Sequence, residues 1–224
     1  KGIEEQNAEI KAIVESRETP GFENTIVALD NSGRTLARVK GVFYALTEAD
    51  TNDEMSALSE KIAPVLSEHN DNIYLNQDLY KRVAAVWQQE QEGKITLTTE
   101  QHRLLDRYYK AFIRSGAGLD AGKQNRLREI NKELSTLAIT FSNHVLNENN
   151  AYRLVIDNEA ELAGLPEWVK TGAAEEAKAV GKEGKWLFTL QNSSRLPLLQ
   201  YADNRELRKD IYEAYINRGN NGDA

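Results

Sequence analysis

Six apolar residues, Leu127, Ile130, Leu134, Leu137, Phe141 and Val145, succeed one another at intervals of three or four. That is the repeat of an α-helix, sustained from Asp120 to Asn149 for about seven turns. A helix this long with one apolar stripe must lay that stripe on other helices and turn its Arg/Glu/Lys face to water. The expected fold is therefore mainly α, built from antiparallel helical hairpins or a bundle.

The rest of the first 150 residues agrees. Ile3, Ile10, Ile13 and Val14 predict a helix ending near Arg17, before the Thr19-Pro20-Gly21 break. The apolar series from Ile26 to Leu46 predicts one long helix with a narrow seam, where Gly33 and Gly41 admit a close neighbour. Thr51 or Asn52 caps the next helix, with Leu58, Ile62, Val65 and Leu66 inward and a kink at Pro64. The segment HNDNIYLNQ from His69 is expected to be an irregular connection or a helical break. Leu79, Val83 and Val86 restart the pattern up to Gly93. Thr98 or Thr99 caps a helix carrying Leu105, Tyr108, Tyr109 and Phe112, with Gly116 closing it.

After Asn150 the period becomes two. Tyr152, Leu154 and Ile156 alternate with other residues, as do Trp186, Phe188 and Leu190, which predicts a small two-stranded ribbon in the C-terminal third. Pro166 opens a helix running to about Val180, ahead of a Gly181–Gly184 turn. Two short helices end the chain, the last carrying Leu207, Ile211, Ala214 and Tyr215 behind an Asp203 or Asn204 cap. After them comes a turn-like tail, RGNNGDA. The change of pattern suggests two regions, a long-helix region 1–150 and a mixed ribbon-plus-helix region 151–224.

Four Pro and 14 Gly among 224 residues argue against a loop-rich β-fold and against disorder. A net charge of −7, with Lys and Arg dispersed among acids, argues against nucleic-acid binding. Without cysteine, disulfides and thiolate metal sites are excluded. No apolar run is long enough for a membrane span, so a soluble protein is expected, cytoplasmic or periplasmic, with the compartment undetermined.

The chain is poor in recognisable chemistry. None of His69, His102 and His144 begins an H-E-x-x-H motif. His144 and Glu148 share a helix face, but a zinc site needs a third protein ligand and none is close in sequence. There is no G-x-S-x-G elbow, and Ser115–Gly118 reads as a helix stop. The acidic pairs fit exposed positions, and Tyr108, Tyr109 and Phe112 fit a core. No catalytic, cofactor-binding or metal-binding residue is assigned. Arg195, Arg205, Arg208 and Arg218 cluster near the C-terminus, where they suit carboxylates of some further part of the protein.

Several stretches nonetheless resemble one family. LLQYADNRELRKDIYEAYINRGNNGDA, FENTIVALDNSG, SEHNDNIYLNQDLYKRV with its H-x-D-x-I-x-x-N pattern, the 116–148 segment, LAGLPEWV and WLFTLQNSSRLPLLQ resemble the thimet oligopeptidase-like zinc metallopeptidases, in consistent order. Their peptidyl-dipeptidase (dipeptidyl carboxypeptidase) branch is the nearest. The resemblance implies an almost all-helical protein whose halves enclose a channel for short peptides, with zinc on an H-E-x-x-H helix in the other half. It implies that this chain is an inactive N-terminal part, one channel wall, whose partners are the catalytic half and short peptides, with zinc as cofactor of the parent protein and none in this part. The alternative is a stand-alone helical module that binds peptide or protein without catalysis.

Overall fold

The computed structural model describes residues 1–221. It is mostly helical, with one two-stranded antiparallel sheet. The chain divides into two compact units, Lys1–Leu137 and Ala138–Ala224. The last part of the RGNNGDA tail, Gly222-Asp223-Ala224, lies outside the described residues.

The first unit starts with α1 (Gly2–Glu15), a π-helical turn (Phe22–Val27) and the short α2 (Ala28–Asn31). Then come α3 (Arg34–Ala49), α4 (Asp53–Tyr74), α5 (Gln77–Gln91), α6 (Thr99–Arg114) and the start of α7 (Ala121–Ala151). Caps explain most boundaries. The Asn52 side chain accepts from the Met55 amide, and Asn76 accepts from the amides of Asp78 and Leu79. Thr98 and Gln101 exchange reciprocal side-chain bonds at the head of α6. Gly93 and Gly116 lie just beyond α5 and α6 with positive φ, 69° and 91°.

The core of this unit joins Ile10 and Ile13 of α1, Ile26, Ile73 of α4, Leu79, Val83 and Val86 of α5, and Leu105 and Phe112 of α6. An aromatic layer lies on it, with Trp87 stacked on Tyr109 at 4.4 Å. Buried Arg82 of α5 holds the irregular 16–25 segment in place. Its guanidinium donates to the carbonyls of Ser16 and Glu18, at 3.1 and 3.3 Å, and to side-chain oxygens of Asn24 and Thr25.

Several expectations need correction here. The long helix over 26–46 is broken at Ser32-Gly33, where Gly33 has φ 71°. A Cβ there would meet the flexible end of the Gln6 side chain, which could move, so the positive φ is the firmer reason for glycine at the break. Gly41 has open space around it and serves no close approach. The stretch from His69 is helical to Tyr74, and the break between α4 and α5 is only Leu75-Asn76. α4 also passes through Pro64 without interruption, and it buries Ser59, Ala63, His69 and Ile73 while Leu58 and Val65 stay exposed. The inward face is rotated from the most apolar one because polar His69 and Asp71 have partners inside.

The long stripe of α7 also differs. Leu134, Leu137 and Phe141 are each more than half exposed, and α7 has no fully buried residue. On α3, Val39, Val42 and Leu46 are about three-fifths exposed. Helical periodicity located these helices; it did not decide what covers them.

In the second unit, β1 (Leu154–Ile156) pairs with β2 (Trp186–Phe188) in the register Leu154↔Phe188, Val155↔Leu187 and Ile156↔Trp186. A 3₁₀ turn (Glu159–Leu162) and α8 (Glu167–Ala179) lie between the strands, with Pro166 as N-cap. α9 (Asn192–Tyr201) and α10 (Arg205–Ile216) complete the unit, and Asn204 caps α10 by accepting from the Glu206 amide. The ribbon's core face meets the helices through Ile156, Phe188, Val169, Ala173, Leu198 and Ile211. Three-residue strands are marginal alone, and this packing is what holds them.

Gly164 sets the junction between the 3₁₀ turn and α9. Its φ is 85°, and an added Cβ would lie 2.3 Å from the Tyr201 carbonyl oxygen, a backbone atom that cannot step aside. Gly164→Ala should therefore cost about 2 kcal/mol or more, read as a lower urea midpoint at unchanged slope. An unchanged midpoint would show that the junction yields.

Candidate functional site

In the second unit, α8 presents two rows. Val169, Ala173 and Ala177 point into the core. The adjacent row, Trp168, Gly172 and Glu176, borders a cleft of about 360 Å³. The opposite border runs along Leu187 and Phe188 of β2 and the following Thr189, with Ser193 and Ser194 from the first turn of α9. Arg153 closes one end, its guanidinium donating to the carbonyls of Asn150 and Tyr152 at 2.6 and 2.7 Å. The Thr189 amide donates to the Ser194 hydroxyl at 3.0 Å, fixing the turn from β2 into α9. Trp168 is 62% exposed, and a Cβ on Gly172 would meet nothing within 4 Å. The cleft is thus half aromatic and aliphatic, half amide and hydroxyl, the mixture of a site for a small polar-apolar ligand.

The first unit holds a polar centre of a different kind. His69, 6% exposed, lies with Nε2 at hydrogen-bond distance, 2.8 Å, from Gln6 Oε1. The Gln6 amide nitrogen donates to the Ser32 hydroxyl, which donates to the Leu29 carbonyl. Gln6 must then accept through Oε1, which assigns the proton to His69 Nε2. The Gly33 amide donates to Glu9 at 2.7 Å. This chain of bonds fastens the Ser32-Gly33 elbow to α1 and α4. Burial, and next the Lys40 charge, hold the His69 pKa below its ordinary value. A cleft of about 220 Å³ adjoins it. There Tyr108 donates to Asp30 at 2.8 Å, and burial together with that hydrogen bond pushes its phenol well above the usual range.

Known proteins give the chain its family. It is 37% identical over 223 residues to dipeptidyl carboxypeptidase of Escherichia coli, 33% over 197 residues to oligopeptidase A of the same organism, and 25% over 203 residues to saccharolysin of Saccharomyces cerevisiae. These matches take in 100%, 88% and 90% of the chain. The chain belongs to the thimet oligopeptidase-like peptidases. No protein-family model matches it. The chain spans about a third of the length of these relatives, 32%, 28% and 28% respectively, and matches their N-terminal third.

The H-x-D-x-I-x-x-N pattern read in the sequence is His69, Asp71, Ile73 and Asn76. Each residue makes a different tie. His69 reaches α1 through Gln6, Asp71 accepts from Asn131 of α7 at 2.7 Å, Ile73 enters the core, and Asn76 caps α5. Burial raises the Asp71 carboxyl pKa, against the opposing pull of Asn131 and Arg128. In this chain the motif is a clamp.

The other histidines stand apart. His102 Nδ1 meets Glu90 at 2.8 Å on the surface. His144 and Glu148 share one face of α7, but Glu148 accepts from the Gly219 amide and the Asn221 side chain, both at 2.8 Å, and so anchors the end of α10. Among the described residues, no three His, Asp or Glu side chains are grouped to hold a metal ion.

Of the clustered arginines, Arg195 lies 3.4 Å over the Tyr215 ring and donates to Asn192, while Arg218 lies 3.8 Å over the same ring and donates to Asn149. Arg208 donates to the carbonyls of Ala202 and Asp203. These three already have partners inside the unit. Apolar periodicity does not single out Trp168 and Gly172; the signal that could have found them is a tryptophan and a glycine four apart, on one helix face.

His69 yields a pH prediction. A folded-state pKa below the ordinary 6.5 means that the unfolded chain takes up the proton first. Its contribution to stability is present above that value and is lost as pH falls through it. The urea midpoint should decline as pH falls below 6.5, and His69→Gln should remove that part of the slope. An unchanged slope in the variant would place the sensitivity elsewhere.

Proposed function

We propose that this chain is the non-catalytic N-terminal part of a zinc oligopeptidase that hydrolyses short peptides and releases C-terminal dipeptides, and that it forms one wall of the substrate channel. The observation that carries the reading is the 37% identity to dipeptidyl carboxypeptidase along the whole chain but over only 32% of the relative. Identity to that protein exceeds the 33% found for oligopeptidase A, which favours the dipeptidyl carboxypeptidase reading.

The residues present do not fit a zinc centre, because no ligand trio forms among the described residues and the sequence lacks H-E-x-x-H. The metal and the hydrolytic groups therefore belong to the remainder of the whole protein. The exposed apolar rows of α3 and α7 suit this division of labour. Val39, Val42 and Leu46, or Leu134, Leu137 and Phe141, are surface that a monomer seldom leaves open, and the remainder of the protein is the natural cover. The cleft beside Trp168 supplies the mixed lining expected of a peptide channel.

The test compares this chain with a protein that joins it to a peptidase remainder of the relatives' length. The joined protein should release dipeptides from peptides with a free C-terminus, stop when a chelator is added and recover with zinc. This chain with added zinc should show no turnover. Turnover by the chain alone, or chelator-insensitive release by the joined protein, would overturn the reading, and peptide binding by a gene product that is naturally this short would favour a stand-alone module.

A further inference from the structure

The cleft of about 220 Å³ in the first unit collects polar groups that the fold itself does not pair. It lies where α1, α2, α3, α4 and α6 meet. Lys40 of α3, and Asn70 and the Tyr74 hydroxyl of α4, line it, and none of the three has a hydrogen-bond or ion-pair partner among the described residues. His69 lines it too. Its Nε2 is engaged by Gln6, while Nδ1 is buried and without a partner. Buried polar atoms in folded proteins are paired as a rule, so each exception calls for a reason.

The charges of the cleft select the ligand. Asp30 is the one acid among the described residues that line it, and its carboxylate is spent. It accepts from the Tyr108 hydroxyl at 2.8 Å and from Arg107 at 3.1 Å. On α1, Glu9 is engaged by the Gly33 amide, and Gln6 is neutral. The Lys40 ammonium is therefore the uncompensated charge that acts on His69. Protonating the ring would create an Nδ1–H without an acceptor and a second cation beside Lys40. An anion between the two reverses both penalties. It accepts from Nδ1–H and neutralises the pair, and the apolar wall of Leu29, Leu36 and Leu66 keeps the attraction strong.

We infer that this cleft binds a small oxyanion, held by Lys40, Asn70 and the Tyr74 hydroxyl, with His69 donating through Nδ1 as its ring takes up a proton. A cleft of this size falls below the usual range of metabolite sites, which suits a carboxylate or a sulfate-sized group and excludes a long ligand. Anion binding and protonation of His69 are then linked, and each promotes the other. Neither zinc nor hydrolysis enters, so the site stands or falls independently of the peptidase reading.

Sulfate and acetate are the probes, titrated at constant ionic strength into the isotope-labelled chain and followed by NMR of the amides and of the His69 ring. Both keep their charge between about pH 6 and 7.5, so any pH dependence belongs to the protein. Saturable shifts are expected at Gly33, Lys40 and Asn70, with affinity rising severalfold toward the lower pH and the His69 ring pKa raised by the ion. Lys40→Gln should weaken binding about tenfold or more. Lys40 is exposed and unpaired, so that variant should keep its Tm, and loss of binding would not be loss of fold. Saturation by sulfate alone assigns a tetrahedral, doubly charged ligand, and by acetate alone a carboxylate; either result, or both, supports the site. Saturation by neither overturns it, as does equal affinity in Lys40→Gln or a His69 ring pKa that the ion leaves unmoved.

Discussion

A turn and a half of helix at the end of α4 carries the organisation of the first unit. Residues His69 to Asn76 make four ties in four directions, to α1, to α7, into the core and to the head of α5. Two of these groups, His69 and Asp71, are buried and ionisable. Burial works against charging either of them, so each must be satisfied by an oriented neutral partner, Gln6 or Asn131. Such partners act only at short range and in one orientation. That makes the clamp specific where apolar contact alone would let the helices slide, and it explains why α4 turns a polar face inward and leaves Leu58 and Val65 outside.

Buried cations are handled in the same way. Arg82 and Arg195 are 8% and 7% exposed, and neither has a carboxylate partner among the described residues. Arg82 directs its donors at backbone carbonyls and side-chain oxygens of the 16–25 segment, and Arg195 faces an aromatic ring. Distributed dipoles and a π-face replace the ion pair. An irregular segment is held open and fixed by this means, since its carbonyls would otherwise lack donors.

The surface is less conservative than the interior. Rows of valine, leucine and phenylalanine on α3 and α7 have the spacing of core positions without the burial. In the proposed reading these rows are the faces that the remainder of a longer protein would cover.

Much of this was legible in the residues themselves. Apolar spacing, Asn and Thr caps and post-helical glycines located the helices and the ribbon, because they act over three or four residues and need no distant partner. The family, too, was legible, in motifs read along the chain. Contacts between segments far apart in sequence decided the rest. The elbow at Gly33 is fastened by Glu9 and Gln6 of α1, the inward face of α4 is received by Gln6 and Asn131, and the cleft of the second unit lies where α8, β2 and α9 converge. Local spacing states that a residue is fit to be buried; only the packing of remote elements settles whether anything arrives to bury it.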